Sequence, residues 1–90
     1  MIEKKFKITN ESGVHARPAT VLVNLCMQYQ SSITLDALKK KVDFKSIMGV
    51  MSLGIYSGTV ITVSAEGIDE EEAMKAISSK LVELNLGKEI

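Results

Sequence analysis

Tryptophan is missing from this chain, and its aromatic residues are limited to two phenylalanines and two tyrosines. Any core it builds must therefore be aliphatic. A single cysteine, Cys26, excludes an internal disulfide, and with only one histidine available it cannot assemble a metal site from thiolate and imidazole ligands. No metal and no cofactor are expected. An excess of one charge sign is missing too, since 11 Lys and Arg balance 11 Asp and Glu. The basic residues are not interleaved with aromatics, so direct nucleic-acid binding is disfavoured. Apolar runs fall far short of a membrane span, and the start Met1-Ile2-Glu3-Lys4-Lys5 lacks the apolar core of a secretion signal. Membrane insertion is not expected, and a cytoplasmic location is.

What is present describes an ordinary globular chain: 90 residues, 46% of them hydrophobic and 24% charged. That length allows one domain, spanning residues 1–90. Ile2 to Ile8 read as a strand with Ile2, Phe6 and Ile8 on one side, Lys4 breaking that side, and Glu3, Lys5 and Lys7 opposite. Asn10 to Gly13 carry turn chemistry, and a helix follows from about Ala16 to about Met27. Ala19, Leu22, Val23 and Cys26 share one face of it, so Cys26 reads as core. Ile33, Leu35 and Ala37 alternate with polar residues, as do Val42 and Phe44, which suggests a hairpin. Its tip has no Asn-Gly or Asp-Gly pair, leaving register and loop length weakly specified. A helix of roughly two turns from Ile47 to about Leu53 follows Ser46 at the N-cap position. Val60 to Glu66 form a fourth strand, and Asp69 with Glu72 resembles a capping box opening a third helix on Ala73, Ile77, Leu81 and Leu84. The order βαββαβα, with helices covering one face of one antiparallel sheet, is the expected α+β architecture.

Gly13-Val14-His15-Ala16-Arg17-Pro18-Ala19 places the only histidine just before a helix start. The first N–H groups of a helix have no intrahelical acceptors and the peptide dipoles add partial positive charge there, so an anion is favoured. Arg17 supplies a permanent charge and a planar fork of donors suited to phosphate. Imidazole titrates near neutrality and offers a free lone pair, which makes His15 a candidate nucleophile toward phosphorus. Pro18 in the first turn costs no hydrogen bond and helps fix where the helix begins. Taken singly, a histidine at a helix start is usually a surface or capping residue, and an arginine two positions on is usually just solvated. The seven residues as a unit are another matter.

Lys45-Ser46-Ile47-Met48-Gly49-Val50-Met51 is the second informative segment. Its default reading is structural, with Ser46 capping a short helix. A phosphate on Ser46 would also be compatible with a helix start. Ile47, Met48, Met51 and Leu53 cannot all face inward from so short a helix, so some apolar surface should reach solvent. Composition alone favours core for most of these residues, with a docking interface as the minority reading.

Both segments resemble the HPr family, the histidine-containing phosphocarriers of the bacterial sugar phosphotransferase system, in its Gram-positive form. The resemblance extends over essentially the whole chain and implies an open-faced sandwich of three helices on a four-stranded antiparallel sheet. It implies that His15 takes a phosphoryl group at Nδ1 from enzyme I and passes it to enzyme IIA proteins, assisted by Arg17. It implies further that Ser46 is modified by an HPr kinase/phosphorylase, and that Ile47, Met48 and Met51 contact catabolite control protein A. On this reading the chain is a carrier, most simply a monomer, and not an independent enzyme. Relatives often have an Asn-Gly-like hairpin tip where this chain has Leu38-Lys39, a small or flexible residue at Tyr56, and leucine at Phe44.

Two other functions compete with the carrier. A purely regulatory paralogue would use Ser46 alone, which the presence of His15 and Arg17 argues against. A small enzyme with His15 as general base would need a partnered acid or a substrate motif, and the sequence offers neither.

Overall fold

Alternation along the chain becomes a sheet whose inward face is apolar and whose outward face is polar. The structure, a computed structural model, describes residues 1–90. Its elements are β1 (Ile2–Ile8), α1 (Ala16–Cys26), β2 (Ser32–Ala37), β3 (Lys40–Asp43), α2 (Ile47–Ser52), β4 (Val60–Glu66), α3 (Glu70–Glu83) and β5 (Gly87–Glu89). The sheet order is β3-β2-β4-β1-β5 and every neighbouring pair is antiparallel. Phe6 and Ile8 of β1, Ile33 and Leu35 of β2, and Ile61, Val63 and Ala65 of β4 meet Leu22, Val23, Met74, Ile77 and Leu81 of the helices in one buried cluster. Cys26 lies within it, and burial pushes its thiol up to about 12, so it stays protonated and unreactive.

The sheet has five strands where four were expected. Gly87, Lys88 and Glu89 are too few and too polar to announce a strand, but β1 has an outer edge with unpaired backbone groups, and they fill it. Asn85 in a left-handed conformation (φ 54°) turns the chain back after α3. A side chain at Gly87 would overlap the Lys7 carbonyl, so glycine permits the close pairing. Lys4, which breaks the apolar pattern of β1, lies half-buried beside α3 and directs its ammonium to Glu89 at 3.5 Å. Its aliphatic stem takes the place of an apolar side chain.

The hairpin tip is a two-residue turn with both Leu38 (φ 53°) and Lys39 (φ 67°) left-handed, and Ala37 pairs with Lys40. Positive φ at both central residues is the signature of a type I′ turn. Strand pairing and twist impose it on residues that disfavour it, at about 1–2 kcal/mol each.

The capping box at α3 also differs from expectation. Asp69 is the N-cap, yet its carboxylate makes no cap hydrogen bond and instead accepts from the Gln30 and Ser31 N–H groups, each at 2.9 Å, and from the Ser31 hydroxyl. Three donors from the bend after α1 outweigh the one that capping would offer. Glu70, rather than Glu72, reaches back to the Gly67 N–H at 3.1 Å.

Candidate functional site

The loop between β1 and α1 is tied down on both sides before it reaches His15. The N–H groups of Thr9 and Asn10 both donate to the Leu86 carbonyl, at 2.8 and 3.2 Å. Asn10 then closes an Asx turn, its Oδ1 accepting from the Ser12 N–H at 2.8 Å while its carbonyl accepts from the Gly13 N–H at 2.9 Å. On the other side Val14 donates to the Ile55 carbonyl at 3.1 Å. Gly13 lies between these anchors with φ +66°. His15 follows in extended conformation (φ −100°, ψ −176°) as the N-cap of α1 and is solvent-exposed.

The imidazole of His15 is not used for capping; its side chain makes no cap hydrogen bond. Its carbonyl accepts from the Ala19 N–H at 3.1 Å, and Pro18 has no N–H to place. The N–H groups of Ala16 and Arg17 therefore remain as two donors with no acceptor in the chain. Arg17 is exposed and belongs to none of the three ion pairs, so its guanidinium is free. Together with His15 it borders a shallow cleft of ≈ 220 Å³, walled by Asn10, Pro18, Val21, Leu84 and Leu86. An accessible ring nitrogen, two free backbone donors and an unpaired guanidinium can hold an anion at the nucleophile. A wider hollow of ≈ 480 Å³ lies between β2 and β3 and contains neither His15 nor Arg17.

Ser46 caps α2 as the sequence indicates, its Oγ accepting from the Gly49 N–H at 3.0 Å. It is half-buried. Val50 and Leu53 go into the core, while Ile47 (41% exposed), Met48 (84%) and Met51 (39%) face solvent. Composition alone would put most of these apolar residues in the core, but of Ile47, Met48, Met51 and Leu53 only Leu53 is buried, because so short a helix turns one face inward and leaves the other as an open apolar surface. α2 packs on α1, so this surface belongs to the same helical layer as His15. Asn10, Val21, Leu84 and Leu86 are the cleft residues that sequence reasoning did not connect with the histidine. The Asn-x-Ser turn at residues 10–12 was the one local signal, and it does not tell which way the amide faces.

A family model described as the PTS HPr component phosphorylation site matches residues 2–83. The chain belongs to the HPr family. Its fold is nearly superimposable on the histidine-containing phosphocarrier protein of a Mycoplasma, with a TM-score of 0.94, 38% identity, and coverage of 96% of this chain and 98% of that one. HPr-C-His from Thermoanaerobacter tengcongensis is 47% identical at a TM-score of 0.85, covering 94% of each chain. Crh, the catabolite repression containing protein of Bacillus subtilis, is 37% identical at a TM-score of 0.72, covering 92% of this chain and 95% of that one, and is described as a domain-swapped dimer. HPr proteins are phosphocarriers of the phosphotransferase system, and this chain shares their α+β fold over its length. No helix is long and apolar enough to cross a membrane.

Proposed function

We propose that this HPr-family chain carries a phosphoryl group on His15, receiving it from phosphorylated enzyme I and delivering it to enzyme IIA domains. The observation that carries this reading is the exposed, unengaged imidazole of His15 beside the two free N–H groups of Ala16 and Arg17. In the transfer the lone pair of neutral His15 attacks phosphorus as the donor's P–N bond breaks, and the bonding electron pair returns to the donor imidazole. Arg17 and the helix N–H groups balance charge on the group in transit, each hydrogen bond to a charged group contributing about 1.5–3 kcal/mol. The second transfer runs the same step outward, so binding must be moderate for the group to leave. The 90 residues act as one domain, a cytoplasmic monomer that docks its partners in turn.

Ser46 is the second phosphate site in this reading, modified by an HPr kinase/phosphorylase. The added charge sits beside Ile47, Met48 and Met51, weakens docking of enzyme I and creates the surface read by catabolite control protein A. Incubation with enzyme I and phosphoenolpyruvate tests the carrier role: one acid-labile phosphate per chain is expected, and none on His15→Ala. An undiminished acid-labile phosphate on that variant refutes the assignment of His15. Ser46→Asp should slow the same transfer.

The likeness to Crh supports a second reading, a regulatory paralogue acting through phosphorylated Ser46. Its signature is no transfer from enzyme I together with repressor binding that depends on Ser46 phosphorylation. The free imidazole and guanidinium favour the carrier.

A further inference from the structure

We infer that Asn10 is a phosphoryl-contacting residue, its side-chain amide donating to the group carried on His15. The inference rests on the carrier reading and adds to it a residue that neither the motif nor its resemblance points to. The orientation of the Asn10 amide is decided by its partner. A backbone N–H can only donate, so the atom facing Ser12 N at 2.8 Å is Oδ1. Nδ2 occupies the other side of the planar amide, and no group of the chain accepts from it. Asn10 borders the same cleft as His15 and Arg17, and the remaining walls, Pro18, Val21, Leu84 and Leu86, have no side-chain acceptor to offer it.

The residue is also held in place. Its N–H donates to Leu86, its carbonyl accepts from Gly13 and its Oδ1 accepts from Ser12, so the free amide is presented without a further ordering cost. A phosphoryl group on His15 brings oxygens that need more donors than the two backbone N–H groups supply. A neutral amide adds a donor without adding a second fixed cation, which suits a group that has to leave again.

The direct measurement uses the unmodified protein. Its Asn10 side-chain NH2 resonances should move when His15 is phosphorylated by enzyme I and phosphoenolpyruvate, with the exposed Asn24 side chain in the last turn of α1 as the internal reference. Asn10→Ser keeps a hydroxyl acceptor for the Ser12 N–H and deletes only the amide. It should lower kcat for transfer from phosphorylated enzyme I about tenfold with little change in KM, as loss of one hydrogen bond to a charged group predicts. The 31P titration of the phosphohistidine should move to higher pH, because the lost donor had favoured the more charged phosphoryl form. A residue that merely shaped the loop would lower stability without moving that titration. Asn10 resonances that stay put, or a Ser variant with unchanged rate and 31P titration, overturn the inference while leaving the carrier reading intact. A protein that takes no phosphate from enzyme I overturns both.

Discussion

Gly13 lies directly against the backbone of Ile55 and Tyr56: a Cβ at position 13 would come within 2.8 Å of Tyr56 Cα and closer still to the Ile55 carbonyl oxygen. The loop that delivers His15 thus rests on the segment leaving α2, and the contact has room for glycine alone. Its φ of +66° adds a second reason. Gly13→Ala should destabilise the fold by about 2–4 kcal/mol, combining left-handed strain with a backbone clash. Denaturant unfolding measures the loss. Transfer from enzyme I should fall even under conditions where the variant is fully folded, because the loop can relieve the clash only by moving His15.

The hairpin tip offers the opposite outcome. Leu38 and Lys39 both sit at positive φ in a solvent-exposed turn. Replacing them with Asn and Gly removes strain that neither side chain repays through packing. The double variant should gain about 1–2 kcal/mol in chemical denaturation and leave phosphoryl transfer unaltered, since the tip joins β2 and β3, which β4 separates from β1 and the His15 loop. A loss of stability would show that Leu38 contributes more to packing than its exposure indicates.

Asp69 makes the stability of the fold depend on pH. The Ser31 hydroxyl first, then the Gln30 and Ser31 N–H groups, hold its carboxyl below the ordinary aspartate range. A group with a depressed folded-state value adds stability that is fully present above its unfolded value and is lost as pH falls through the folded one. Glu70 shifts the same way, chiefly through the Gly67 N–H. Stability should therefore decline in the acid range below the usual carboxylate values. Ser31→Ala should flatten that decline and raise the Asp69 titration midpoint measured by NMR. A midpoint unmoved by the substitution would remove Ser31 as the main cause.

Ser46 holds the start of α2 through one hydrogen bond from Gly49. Ser46→Ala should cost about 1 kcal/mol, in the usual range for loss of an N-cap. Ser46→Asp retains an acceptor and should cost less, which separates the stability effect from the charge effect on docking. Thermal unfolding of the two variants side by side checks the order.

Whatever depends on neighbours along the chain was legible in the residues alone. Alternation in β1, β2 and β4, the apolar face of α1, the Ser46 cap and the His15-Ala16-Arg17-Pro18 helix start all follow from local periodicity and backbone chemistry, and each is found where its residues place it. Tertiary structure decided what depends on residues far apart in sequence. Asp69 leaves its expected capping role because Ser31, 38 positions earlier, presents better donors. Gly87–Glu89 become a strand because β1 has an edge to pair. Leu38 and Lys39 accept a left-handed turn because the pairing of Ala37 with Lys40 leaves a two-residue loop, whose twist matches the flanking strands in that conformation. Asn10 reaches the cleft of His15 because its backbone, with that of Thr9, hangs from the Leu86 carbonyl. Composition and periodicity specify the conformation of a segment, but long-range contacts choose its partners, and the cleft that Asn10 shares with His15 is a matter of partners.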